Sequence, residues 1–321
     1  MTHTSPTPPP PTSRVVADPA ATLSSNAQGQ PARQPAAPVV WAWSRTGARW
    51  HALRGAQALR WLALSVVLAF FLFPIAFLAA TSLKTKDDVL SGHFFPTTLF
   101  WQNWPDAFRA INLLLFLRNS VVAAGLSALL TLLIAVPATY AMVRFGTGGR
   151  HLYSFVLASY TAPPVVALLP LFFLLRRLHL IDSLVGLAIV YALANVPVAV
   201  WLLDGFLRQV PREIEEAAWV DGAGLVTTLT RMVMPLIAPG LVATGIICLI
   251  LAYNEFLFAV TLTYRPGTQT LPVGIALFQG DRLVNFGQMA AASLTGMAPV
   301  YIVALFFQRW LIRGLTSGAV K

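Results

Sequence analysis

Long stretches of this 321-residue chain run for more than 20 residues without a single Asp, Glu, Lys or Arg. Five of them are residues 61–83, 119–143, 151–175, 183–203 and 283–308. A sixth, 236–264, is interrupted only by Glu255. Crossing about 30 Å of hydrocarbon takes an α-helix of about 20 residues. Inside lipid every backbone amide must be bonded internally, so runs of this composition are helices. The expected fold is all-α, a polytopic membrane protein with six transmembrane helices. Composition agrees, with 57% hydrophobic and only 11% charged residues. A soluble domain is about 25% charged. That rules against a soluble enzyme, and the single cysteine, Cys248, permits neither an internal disulfide nor a cysteine-based metal site. His51, His93, His151 and His179 share no ligand spacing, and no metal site is expected.

The net charge of +10 is read as loop charge facing the cytoplasm, and no nucleic-acid partner is expected. If the amino-terminal tail is cytoplasmic, six spans return the carboxy terminus to the same side. Fourteen of the 22 basic residues then lie in the cytoplasm: the six arginines up to Arg60, then Arg144, Arg150, Arg208, Arg212, Arg231, Arg309, Arg313 and Lys321. Arg176 and Arg177 run against this bias.

The first 40 residues are a different material. Nine of the 23 prolines fall between Pro6 and Pro38. Such a segment buries too little apolar surface to offset its ordering entropy, and it reads as a disordered tail. It passes into a basic lead-in, so that 1–58 form one cytoplasmic tail before a first span at 59–83. The aromatic residues of 94–108 are expected at the outer interface.

The loop between the fourth and fifth spans, 204–235, is the structured exception among the loops. Pro211 suits the start of a helix. Glu213, Glu215 and Glu216 suit its first turns, where the dipole favours negative charge. Ala217 and Ala218 permit close approach of another surface, and Gly222 and Gly224 break the helix. A second helix is expected to start near Thr227 or Thr228. A small-faced helix with an acidic start fits a protein partner better than an anionic lipid surface. Glu255, a carboxylate inside a span, is by default a functional candidate. One use would be the proton site of an ion-coupled secondary transporter, but no paired broken-helix repeat accompanies it.

Glu216-Ala217-Ala218, then Gly222, then Met232-Val233-Met234-Pro235 resemble the EAA motif of ABC importer permeases, with Met232 and Met234 at its Ile and Leu positions. Arg118-Asn119-Ser120 resembles the start of the permease core. Tyr253-Asn254-Glu255-Phe256 resembles a Trp-Asn-Glu-Phe pattern of carbohydrate permeases. Residues 308–321 look like the end of a maltose-permease-type subunit.

The resemblance covers about residues 60–321 and implies a type I ABC importer permease fold. Its core would be 114–309, with spans near 119–143, 152–175, 183–203, 238–262 and 287–308, and 310–321 would be a cytoplasmic terminus. It implies a sugar, oligosaccharide or polyol as solute. The implied partners are membrane lipid, a second and different permease, an ATPase dimer and an extracytoplasmic binding protein. The implied location is the cytoplasmic (inner) membrane. The residues that would couple to the ATPase are Glu216, Ala217, Ala218, Asp221, Gly222 and Pro235. Tyr253, Asn254 and Glu255 are candidates to line the pathway, the alternative for Glu255 being to hold the helix bundle together through hydrogen bonds. The chain has no Gly-x-x-x-x-Gly-Lys-[Ser/Thr] phosphate loop. It is therefore expected to bind no cofactor and to catalyse no reaction, ATP and Mg being used by the ATPase.

Overall fold

The uncharged runs are mostly helical in a computed structural model, which describes residues 46–279 and 284–317. The proline-rich tail lies outside the described residues. Two units divide the chain. The first, Met1–Trp61, is described from Thr46, where α1 (Thr46–Ser82) begins. The second, Leu62–Lys321, holds the remaining elements. Four helices are long and apolar enough to span a membrane unbroken: α1, α4 (Leu113–Phe145), α7 (Leu184–Leu207) and α14 (Phe286–Ser317). Two further spans are bent pairs. The third is α5 (Gly149–Ser159) followed by α6 (Pro164–Arg177), at 93°. Pro163 and Pro164 explain that break, because each proline removes an N–H and drives the preceding residue out of helical angles. The fifth is α11 (Ala238–Tyr253), bent by 84° from the helical segment Leu225–Leu236 that precedes it. Beyond the fifth, the chain breaks again at Asn254–Phe256 before α12 (Leu257–Leu262). Among the described residues the only β pairing is an isolated bridge between Gln279 and Val284.

The core is built on α4 and α7, which pack along each other. Lipid tails are as apolar as leucine, so close packing and interhelical hydrogen bonds must hold such helices together. The sequence supplies small residues at the seam. Ala123, Ala124, Ser127, Ala128, Thr131 and Ala135 on α4 are buried, as are Ala188, Ala192 and Ala199 on α7. Thr131 Oγ1 donates to the Ala192 carbonyl at 3.4 Å, and Asn195 Nδ2 to that of Cys248 on α11 at 3.2 Å. By contrast, the apolar window of α1 buries none of its residues within the chain.

Short helices decorate the end of α4 that begins at Leu113. They are α2 (Lys86–Leu90), α3 (Asn103–Ala110) and α13 (Leu271–Ala276). Trp101 is exposed there, as the sequence reading expects of an interface aromatic, but Trp104 and Phe108 turn inward against the core. Asp182 fixes this end. It sits at φ 52°, and its Oδ1 accepts the Tyr264 N–H at 2.9 Å and the Arg265 N–H at 3.3 Å. The Arg265 guanidinium and the Thr268 hydroxyl also donate to its carboxylate. Burial alone would push the carboxyl up. The hydrogen bonds from Thr268, Tyr264 and Arg265 outweigh it and hold the pKa down at about 2.

Candidate functional site

At the opposite end of α4 the segment between the fourth and fifth spans folds into an elbow. Its first arm is α8 (Arg212–Val220). Pro211 stands just before the helix rather than in its first position, and Glu213 and Glu215 occupy the first turn. The arm ends in paired backbone bonds, Ala223 N–H to Ala218 O at 2.9 Å and Gly222 N–H to Trp219 O at 3.0 Å. This is a Schellman termination, which needs a residue in the left-handed region. Gly222 supplies it at φ 83°, and a side chain there would meet nothing within 4 Å. The requirement at 222 is therefore backbone conformation, not space.

The second arm starts earlier than the threonines suggested. It runs as α9 (Leu225–Thr227), a π-helical turn (Thr228–Val233) and α10 (Met234–Leu236). Gly224 holds the cap position, and Thr228 Oγ1 donates back to the Gly224 carbonyl at 3.2 Å. Thr227 and Thr228 are thus interior residues. Pro235 is the second residue of α10, shortly before the chain turns into α11. π-turns often mark functional positions.

Burial sorts the residues singled out in the sequence. Glu216, Ala217, Asp221 and Gly222 lie together on the exposed side of the first arm, and Pro235 is exposed in the second. Ala218 faces inward and is buried, so the two alanines serve opposite sides. Val220, 88% exposed, and Leu225 and Val226, also exposed, add apolar surface around the bend. The elbow therefore exposes a mixed acidic and apolar surface.

The inward side holds what sequence reasoning missed. Glu215 is fully buried. Its Oε2 accepts the Tyr140 hydroxyl at 2.7 Å, and its Oε1 lies 2.6 Å from Arg144 Nε. Arg144 Nη2 also donates to the Val210 carbonyl at 2.8 Å, just before the arm begins. Trp219 stacks on Phe145 with centroids 6.4 Å apart, and Phe145 meets Tyr140 edge-on at 5.8 Å. In the sequence Glu215 stood out only as a dipole residue and Arg144 only as a loop charge. Tyr140 and Arg144 are one helical turn apart and share a face, the one signal in the sequence that fits a shared partner.

A second group surrounds a cleft of about 660 Å³ lined by Tyr253, Asn254, Pro272, Ser293, Met297 and Tyr301 among others. Tyr253 is held by its hydroxyl, which donates to the Gly296 carbonyl at 2.8 Å. Asn254 Nδ2 donates to Ile250 O at 2.8 Å. Glu255 does not line this cleft. Its carboxylate folds onto the start of α12, accepting the Phe258 N–H at 3.0 and 3.1 Å and the Ala259 N–H at 3.3 Å. A carboxylate in that position caps the helix and complements its dipole.

The chain is similar to characterised permeases over most of its length. It is 38% identical over 268 residues to the sulfoquinovosyl glycerol transport system permease protein SmoH of Agrobacterium fabrum, covering 83% of this chain and 94% of that one. It is 32% identical over 269 residues to the trehalose transport system permease protein SugB of Mycobacterium tuberculosis, covering 83% and 98%. It is 38% identical over 208 residues to the trehalose/maltose transport system permease protein MalG of Thermococcus litoralis, covering 64% and 75%. Its fold matches a chain of a bacterial ABC transporter involved in the import of the acidic polysaccharide alginate, with a TM-score of 0.66 at 21% identity, covering 80% and 96%. Residues 127–317, the elbow included, match the family model described as binding-protein-dependent transport system inner membrane component. The chain belongs to that family, and it is a membrane-embedded permease subunit of an ABC importer.

Proposed function

We propose that this permease passes a carbohydrate-like solute, a sugar, oligosaccharide or polyol, across the cytoplasmic membrane, driven by a separate ATPase dimer seated on the elbow. The observation that carries the reading is the elbow itself: Glu216, Ala217, Asp221 and Gly222 are all exposed on a structured elbow packed against the end of the long helix α4. Closure of the ATPase around ATP would displace that face as a rigid body and rock the spans between inward-open and outward-open states. The nucleotide shifts these states only by its differential affinity for them. Both termini and the elbow would be cytoplasmic, in keeping with the arginine bias. A binding protein would deliver the solute at the opposite end.

The solute class is supported by the trehalose, maltose and sulfoquinovosyl glycerol systems among the relatives. The cleft bordered by Tyr253, Asn254 and Tyr301 suits such a solute. It pairs aromatic faces with hydrogen-bonding groups, as polyhydroxyl compounds require. A second, different permease would complete the pathway. The apolar residues that α1 exposes from Leu62 to Phe73 are surface for that subunit to share with lipid.

The test is uptake into vesicles holding the importer with its own ATPase and binding protein. Uptake of a labelled sugar should require ATP, survive collapse of the proton gradient, and be competed by other sugars or polyols. Uptake that ignores ATP and stops with the gradient would overturn the reading.

A further inference from the structure

We propose that Glu215, not the outward-facing Glu216, is the positioning residue through which the elbow moves the membrane helices, and that Arg144 and Tyr140 form its seat. The inference rests on the docking reading above and adds the joint that transmits the motion.

Three attachments fix α8 to the last two turns of α4. Arg144 holds the entry to the arm through the Val210 carbonyl. Arg144 and Tyr140 hold the first turn through Glu215. Phe145 holds the last turn through the ring of Trp219. The Arg144 and Glu215 side chains are 6% and 2% exposed, so water does not compete for the pair. A short helix held at its entry, its first turn and its last turn has little freedom to swing alone. Displacing it displaces the end of α4.

The other end of α4 is attached to the wall of the cleft. Asn119 Nδ2 donates to the Pro266 carbonyl at 3.3 Å and the Gln269 carbonyl at 2.9 Å, and Ser120 Oγ accepts the Leu271 N–H at 2.8 Å. Leu271 begins α13, whose Leu271, Pro272, Ile275 and Ala276 line the cleft. The 33 residues of α4 span about 50 Å at 1.5 Å each. One continuous helix, with Pro137 within it, thus carries the docking elbow at one end and a wall of the cleft at the other. Packed elements of this kind pass on displacement without absorbing it.

A contiguous path is a claim about coupling and needs a coupling measurement. The importer, assembled with its ATPase and binding protein in vesicles, is assayed for solute imported per ATP hydrolysed. Glu215→Leu is combined with Arg144→Met, because replacing both members of a buried pair with apolar residues commonly preserves folding. The expected result is normal co-purification of the ATPase and continued hydrolysis. Solute per ATP should fall roughly 5- to 150-fold, the usual range of coupling between sites. Tyr140→Phe removes only a hydroxyl and should give a smaller loss of the same kind. Unchanged solute per ATP in both variants would overturn the inference. So would loss of the ATPase from the double variant while Glu216→Ala retains it, which would make the seat a docking support only. Failure of the ATPase to co-purify with the unaltered chain would instead sink the docking reading beneath it.

Discussion

Two carboxylates tie distant parts of the chain together at opposite ends of the bundle, and they do it differently. Asp182 gathers two backbone N–H groups, a hydroxyl and a guanidinium that is itself 75% exposed. It fixes the shape of a loop against the segment 263–268. Glu215 meets side chains, hydrogen-bonded to a phenol and ion-paired with a guanidinium that belong to another helix and are buried with it. It joins two rigid elements. The first arrangement holds a fixed geometry locally. The second ties one helix to the next through side chains that are almost wholly buried.

The comparison can be broken most severely at Glu215. Glu215→Ala alone strands a buried guanidinium, and losing one partner of such a pair costs about 3–5 kcal/mol. Thermal unfolding in detergent should show the largest drop of any single substitution considered for either carboxylate. Asp182→Ala should cost less, about 1–3 kcal/mol, because its partners lose hydrogen bonds but the charged one can turn to solvent.

Asp182 also predicts a pH dependence. Its folded pKa, about 2, lies below the ordinary 3.8, so its contribution is fully present above about pH 5 and is lost as pH falls toward 2. Asp182→Asn should flatten that part of the unfolding curve, and an unchanged acid dependence would remove Asp182 as its source. The smallest effect is expected at the bend. Gly222→Ala meets no neighbour, so only the left-handed backbone is strained, at roughly 1–2 kcal/mol. Its mark should be a weakened hold on the ATPase, read by co-purification, with the spans still inserted.

The spans were legible because absence of charge over 20 residues has one solution in lipid. Their breaks were less so. The prolines at 163, 164, 235 and 239 announce disruption, but only packing decides that the chain turns by 93° at one place and 84° at another. The exposed half of the elbow was legible from a local pattern, Glu216 to Gly222. Its buried half was not, because Tyr140 and Glu215 are 75 residues apart and their meeting depends on how α4 ends beside α8. Glu255 drew attention as a lone acid in a span. Its backbone bonds give it a local cause, a helix that restarts after a break in the chain and needs its first amides satisfied.

The central claim is that the elbow is the seat of an ATP-driven motor on the cytoplasmic side. The chain's one cysteine, Cys248, is buried, so a cysteine placed at Val220 would be the accessible one. Such a Val220→Cys variant should cross-link to the ATPase subunit in membranes, with a yield that changes when ATP is added. It should also resist a membrane-impermeant maleimide applied from outside the cell. Labelling from outside, or no cross-link to the ATPase in an actively importing complex, would contradict the account.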